Sequence, residues 1–256
     1  MENEPSYDDD LKNAESGDPR AQYNMAIRSL TGDGCDADPG GALDWLARSA
    51  EGGYAPAQFR LACFYAEAPG EKRDYDKAAR WFREAAEQGD RDAQYNIGVY
   101  YAHGHGVPQD DQRAAYWFEK AARQEDPAAA QILGDCYAEG AGVPQDEKLA
   151  FHWYAESARL GSAKGQFRLG ICYAGGKGTP RDNAKAFYWL TRAAGAGQAE
   201  AQYTLGITYL EQSKENPAFR AQGIDWLRRA ARQGHLSAAD RLAKIDPPES
   251  PSSPAD

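Results

Sequence analysis

No stretch of this 256-residue chain approaches the roughly 20 consecutive apolar residues that a membrane-crossing helix needs, so insertion into a bilayer is not expected. Positive charge is in deficit: 29 Lys and Arg stand against 39 Asp and Glu, a net charge of −10 with a pI near 5.0, which argues against a nucleic-acid partner held through the phosphate backbone. The opening residues carry Glu2, Glu4, Asp8, Asp9 and Asp10 and no base, whereas a secretory leader begins positive. A cytoplasmic chain is therefore expected, although a periplasmic chain whose leader had been removed would read the same way. The four cysteines, Cys35, Cys63, Cys136 and Cys172, include no CxxC pair. Reactive chemistry is equally thin. His103 and His105 form an HxH with no third donor, His152 and His235 stand far from it, no serine has triad-like surroundings, and no glycine-rich phosphate motif follows a strand. No catalytic residue, metal ligand or cofactor is expected.

What the chain does have is a ladder. Trp45, Trp81, Trp117, Trp153, Trp189 and Trp226 recur at intervals of 36 residues, the last at 37, and most other features recur with them. A fixed period of this length indicates stacked supersecondary units in one solenoid rather than a single globular core.

Residues 93–128 serve as the type unit, with Ala93 as position 1; the others begin at residues 21, 57, 129, 165 and 201. Position 5 is Met25, Leu61, Ile97, Leu133, Leu169 and Leu205, and position 6 is always Ala or Gly. Positions 1, 5, 8, 9 and 12 share one face at 100° per residue, which predicts an amphipathic helix A. A loop with paired glycines and a proline ends it, and Asp38, Asp74, Asp110, Asp146 and Asp182 stand where the next helix needs an N-cap. Helix B then carries Ala, Trp and a small-residue pair in an i, i+3, i+7 stripe directed at helix A, with the Trp supplying most of the area. By that reading Trp117→Ala costs about 3 to 5 kcal/mol. Gly53, Gly89, Gly161, Gly197 and Gly234 follow as left-handed C-caps. Cys136 and Cys172 occupy equivalent positions of adjacent units, where packed helices stand about 8 to 10 Å apart, too far for a disulfide. Free, buried thiols are expected.

The motifs AQYNxG in helix A, GxGV-PxD in the loop and AxxW-xxxAA in helix B resemble the Sel-one-like repeat family, a branch of the tetratricopeptide-like α/α solenoids, across residues 21 to 237. The resemblance implies an all-α fold: a right-handed solenoid of six 36-residue helix-turn-helix repeats. Residues 7–17 align with the end of a helix B and residues 236–245 with a helix A, so half-repeat caps are expected at both ends of a solenoid spanning 7–245. Residues 1–6 are expected to be flexible and the Pro/Ser-rich tail 246–256 disordered. Three departures stand out: the first loop lacks the Val-Pro pair, Glu125 replaces a C-cap glycine, and the last loop has neither glycine.

Positions 3 and 7 of helix A lie about 160° to 200° from position 5, so packing against the unit's own helix B does not require them. Position 3 is nonetheless Tyr23, Phe59, Tyr95, Gln131, Phe167 and Tyr203, and position 7 includes Ile27, Val99, Asp135, Ile171 and Ile207. The resemblance implies that helices A line a concave groove, and an aromatic-rich groove with a few polar groups suits a protein partner. Arg60 and Arg168 at position 4, with Glu67, His103 and Glu139 at position 11, complete the expected surface. Gln131 and Asp135 are its expected specificity centre, and their replacement by Ala is expected to weaken partner binding while leaving stability nearly unchanged. The resemblance further implies a non-enzymatic interaction module, monomeric on its own. Its relatives include immunity proteins that neutralise type VI secretion effectors such as lipases, and signalling or envelope adaptors. Cysteine-rich relatives linked to β-lactam hydrolysis carry cysteines paired within each repeat, which this chain lacks.

Overall fold

The computed structural model describes residues 6–70 and 73–245; the expectations for residues 1–5 and for the tail 246–256 lie outside them. Fourteen α-helices and no strand occur among the described residues. Six helices A, α2 (Pro19–Thr31), α4 (Ala55–Glu67), α6 (Arg91–His103), α8 (Pro127–Glu139), α10 (Ala163–Gly175) and α12 (Ala199–Gln212), alternate with six helices B. The latter are α3 (Pro39–Glu51), α5 (Tyr75–Glu87), α7 (Asp111–Arg123), α9 (Glu147–Arg159), α11 (Asn183–Gly195) and α13 (Phe219–Arg232). A short helix stands at each end, α1 (Tyr7–Glu15) and α14 (Leu236–Ile245). Ser6 caps α1, its hydroxyl accepting the Asp9 N–H. The helices form two compact units, one running through Asp126 with Ala141–Val143 added, the other comprising Pro127–Gly140 and the residues from Pro144 onward.

Local chemistry sets the helix ends. Asp38, Asp74, Asp110, Asp146 and Asp182 all cap helices B, each carboxylate accepting a backbone N–H of the first turn. These bonds hold the Asp74 and Asp182 carboxyls below the ordinary carboxylate range. Helix α13 has no side-chain cap, in keeping with its altered loop. The second loop glycine has a specific task. At Gly106 and Gly178, both at positive φ, a Cβ would collide with the carbonyl of the first residue of the preceding helix B, Tyr75 and Glu147 respectively. Gly53, Gly89, Gly161, Gly197 and Gly234 adopt the expected left-handed conformation, and Glu125 takes it without being glycine, at φ 60°.

The packing corrects the stripe assigned to helix B. The residue after each Trp, not the Trp, is the one driven deepest: Leu46, Phe82, Phe118, Tyr154, Leu190 and Leu227 are all buried, whereas Trp45, Trp117, Trp189 and Trp226 are half-buried. Position 6 of helix A explains this. A Cβ on Gly98 would lie 2.8 Å from the Phe118 ring, on Gly134 2.6 Å from that of Tyr154, and on Gly206 2.7 Å from Leu227. Each glycine is the seat of one large side chain. Trp189 and Trp226 lie across joints between repeats. Trp189 packs against a cluster that joins Ala150, Tyr154 and Ala158 of the preceding helix B to Leu169 and Cys172 of its own repeat's α10. Trp226 does the same against the cluster of Leu190, Ala193 and Leu205.

A second joint is polar and lies outside the apolar periodicity. Position 2 of helix A is a buried glutamine in five repeats, Gln22, Gln58, Gln94, Gln166 and Gln202. Its amide donates to the last turn of the preceding helix B, to Ala50 O from Gln58 and Ala86 O from Gln94, both at 3.1 Å. Its oxygen accepts from a glutamine at the end of its own helix B, in the pairs Gln88–Gln58, Gln124–Gln94 and Gln233–Gln202 at 2.7 to 2.8 Å. In the fifth repeat Ala196 occupies that place, and the Gln166 Oε1 has no partner among the described residues. A buried acceptor left unpaired costs on the order of 1 to 3 kcal/mol.

Two pairs of substitutions test these assignments. Ala196→Gln should raise stability by about 1 kcal/mol in urea unfolding, whereas Leu160→Gln, at the corresponding place of the fourth repeat, should give no such gain because position 2 there is Ala130. Phe118→Ala should cost about 3 to 5 kcal/mol and more than Trp117→Ala, the reverse of the order expected from the tryptophan ladder.

Candidate functional site

Positions 3 and 7 are less free than their angular separation from position 5 implied. Phe59 packs on Phe82 with ring centroids 5.8 Å apart and Tyr95 on Phe118 at 6.0 Å, so position 3 does contact its own helix B. Phe167 and Ile171 flank the Leu190 cluster, and Tyr203 and Ile207 flank the Leu227 cluster. The physical reason is the small residue at position 6. It lets helix B approach so closely that the large side chain after the Trp reaches round to positions 3 and 7. Tyr203 also stacks on His235 at 4.6 Å, and Tyr23 meets Tyr54 edge-on at 5.3 Å. Each of these position 3 and 7 side chains is half-buried, so an edge, not a whole face, is presented.

Within the first unit Tyr23, Ile27, Phe59, Arg60 and Glu67 gather at two adjoining clefts, whereas Tyr95, Val99 and His103 line neither. The larger, of about 700 Å³, is apolar, floored by Leu43, Leu46 and Phe59 and flanked at its mouth by Leu30 and Phe64, which are 51% and 37% exposed. Glu67 and Asp90 line its rim. The smaller, of about 460 Å³, is polar and lies among Arg20, Asn24, Ile27, Arg28 and Asp33. Tyr23 and Arg60 border both. Arg60 is fixed there, its Nε donating to the Tyr23 hydroxyl at 2.7 Å with the guanidinium over the ring. Asp10, 2% exposed, anchors the polar cleft: it accepts from Asn24 and pairs with Arg28 at 2.9 Å.

Within the second unit Asp135 is the centre of a three-helix knot. It accepts from Gln131 one turn earlier on α8, from the Tyr154 hydroxyl on α9 at 2.7 Å, and from Arg168 on α10 at 3.0 Å. Tyr154 is 4% exposed, and burial, reinforced by the neighbouring carboxylate, holds its phenol far above its ordinary value. A cavity of about 250 Å³ opens beside the knot, with Glu139, Ile171 and Lys177 in its wall. The expected specificity centre is thus a structural joint as well as a surface feature.

The remaining candidates are dispersed. The His103 imidazole bonds the Val99 carbonyl through Nδ1 at 2.9 Å, and His105 stacks on Tyr75 at 5.1 Å. Among the described residues no group of three or more His, Cys, Asp or Glu could hold a metal. Against the expectation that all four thiols are buried, only Cys172 is; Cys35, Cys63 and Cys136 are half-buried. Burial pushes the Cys172 thiol up to about 11. No helix among the described residues is long and apolar enough to cross a membrane.

The Sel1 repeat model matches six consecutive segments, 19–54, 55–90, 91–126, 127–162, 163–198 and 199–235. The chain belongs to the Sel1 repeat family. Its structure is similar to that of a Sel1 repeat protein from Oxalobacter formigenes, with 30% identity, a TM-score of 0.71, and 88% of this chain and 87% of that one covered. It is similar also to c5321, a protective antigen of uropathogenic Escherichia coli displaying an SLR fold, at 29% identity and a TM-score of 0.62. That match covers 94% of this chain but only 59% of the antigen's. The immunity protein Pa5087 of Pseudomonas aeruginosa is more distant, at 23% identity and a TM-score of 0.49 over 78% of this chain and 72% of that one, and carries no argument about role. No curated protein matches the sequence.

The Sel1 repeats are thus an all-α protein-interaction scaffold, and reading their register from sequence located Tyr23, Phe59, Arg60, Asp135 and Arg168 where side chains converge. It missed Arg20 and Leu30, which lie off the recurring positions, and Phe64, whose position 8 belongs to the face assigned to packing against helix B although the side chain is 37% exposed. The knot at Asp135 predicts a stability effect where none was expected. Asp135→Ala strands the Tyr154 hydroxyl and should lower stability by about 1 to 3 kcal/mol. Adding Tyr154→Phe should return most of it, because the exposed Arg168 pair itself contributes under about 1 kcal/mol. A thermally silent Asp135→Ala would show that the knot is not a joint.

Proposed function

We propose that this Sel1 repeat chain is a non-enzymatic module that captures one protein partner at the paired clefts of its first unit, and that the capture neutralises a secreted toxin. The observation that carries the binding reading is the apolar cleft of about 700 Å³, whose mouth keeps Leu30 and Phe64 exposed. A side chain as large as Phe left half in water on an α-helix beside a concavity is what an interface anchor needs. The net charge of −10 supports a basic partner by accelerating and orienting encounter. The immunity role is supported by the resemblance to the Sel-one-like family, some of whose members are immunity proteins, together with the acidic charge of the chain. An adaptor role is supported by a different feature, the separate charged cavity at Asp135 in the second unit, which gives a second partner a place to sit.

The products of neighbouring genes are the partners to try. Co-expression with a neighbouring toxin should restore growth and yield a stoichiometric complex. Phe64→Asp should weaken that complex about tenfold or more with helicity retained and only a modest fall in melting temperature, since the side chain is 37% exposed. Unimpaired binding by Phe64→Asp removes the apolar cleft from the interface. A partner that binds without any rescue of growth, and that belongs to a signalling or envelope system, replaces immunity with the adaptor role.

A further inference from the structure

The charge of the chain is not evenly spread. Residues 1–126 hold 25 acidic and 14 basic side chains, a net −11, while residues 127–256 hold 14 acidic and 15 basic, a net +1. The polar cleft of the first unit runs against this. Arg20, Arg28 and Arg60 line it with Asp10 and Asp33, leaving one excess positive charge in the most acidic part of the molecule. Arg28 is committed to both acids, at 2.9 Å to Asp10 and 2.7 Å to Asp33. Arg20 and Arg60 are not. The Arg20 side chain has no ion pair among the described residues, and Arg60 uses only its Nε, on the Tyr23 hydroxyl, so its two terminal nitrogens remain as donors. Both side chains are exposed, and Arg60 is held in place by the ring beneath it.

Two guanidinium groups with donors to spare, next to an apolar cleft, define a ligand with two adjacent parts: an apolar group for the space over Leu43, Leu46 and Phe59, and a single carboxylate for Arg20 and Arg60. The acidic surroundings narrow this further. A segment rich in Asp or Glu is repelled by the net −11, whereas a basic segment is attracted, and Glu67 and Asp90 at the rim of the apolar cleft offer it counter-charges. One carboxylate at the end of an otherwise basic and apolar segment is the chemistry of a polypeptide C-terminus. The open mouth at Leu30 and Phe64 admits a chain passing across the cleft, where a free fatty acid would leave much of its tail in water. We propose that the first unit recognises the C-terminal segment of a basic protein, its last apolar side chain in the larger cleft and its α-carboxylate between Arg20 and Arg60.

This rests on the protein-binding reading above and can fail separately from it. The probe is a library of random decapeptides with free C-terminal carboxylates, selected on the full chain, the best sequence then being made also as its C-terminal amide. Selection should enrich an apolar last residue preceded by Lys or Arg. The free acid should bind at least about tenfold more tightly than the amide, and Arg60→Gln should abolish that difference while leaving helicity and melting temperature unchanged. Equal binding of acid and amide, enrichment with no C-terminal preference, or an acid-over-amide preference that survives both Arg60→Gln and Arg20→Gln overturns the proposal. If a protein partner binds the chain but tolerates removal of its own last three residues, this inference falls and the proposed function stands. If the partner complex also survives Phe64→Asp, the cleft itself is not the interface.

Discussion

A large side chain seated on a residue with no Cβ is the contact on which most of the repeats depend. Phe118 over Gly98, Tyr154 over Gly134, Leu190 over Gly170 and Leu227 over Gly206 bring helix B so close that a Cβ added at position 6 would press on the seated side chain. The first two repeats have Ala26 and Ala62 at this place and still bury Leu46 and Phe82, so the tolerance is about one methyl group. Close approach has a consequence elsewhere: it leaves little room inside a helix pair, and the aromatic area of Trp189 and Trp226 lies at the joint with the preceding repeat. The same geometry thus closes one pair of helices and fastens it to the next.

The joint is made twice over, by an apolar and a polar device with different tolerances. Trp189 and Trp226 each cover residues of more than one helix, and a half-buried indole can shift without leaving an unpaired group. The glutamine pairs are stricter. Gln58, Gln94 and Gln202 each bridge a carbonyl of one helix B to the end of another, so the loss of one member strands a buried acceptor, as at Gln166 opposite Ala196. The first and fourth repeats use another solution: the hydroxyls of Ser49 and Ser157 donate to Pro19 and Pro127 carbonyls at 2.5 and 2.7 Å, where a proline opens helix A. A Cβ on Gly165 would strike the Ser157 side chain, whereas Ala57 stands at the equivalent place beside Ser49.

Period and punctuation were legible in the sequence because each rests on local chemistry: the Asp caps, the loop glycines and the left-handed residue after helix B act within a few residues of themselves. Depth was not. The Trp and the residue after it differ by 100° around helix B, and amphipathic patterning alone assigns the stripe to whichever is larger. The deciding fact, the distance between two helices, is set by position 6 of another element. The same holds for Asp135, whose spacing from Gln131 was readable while its bonds to Tyr154 and Arg168, on two other helices, were not. Arg20 and Leu30 were silent for the opposite reason, since periodic reading selects what recurs, and Phe64 was hidden by its position 8, which the pattern assigns to the packed face.

That last point bears on how a scaffold of this kind acquires a partner. The seat, the Trp and the glutamine bridge are fixed by packing and leave few positions free to differ. Helix A offers position 4, where Arg60 and Arg168 stand, and its last turn, where Phe64 and Glu67 stand. Arg168 is taken up by Asp135, a contact internal to the second unit. Arg60 is taken up by Tyr23, a neutral phenol that orients the guanidinium without cancelling its charge. The two positions are equivalent in register but opposite in electrostatic outcome: one closes an ion pair, and the other presents an oriented cation beside an apolar cleft. A surface built on the second arrangement keeps its charge for a ligand, whereas the corresponding arginine of the second unit has its charge met within the fold.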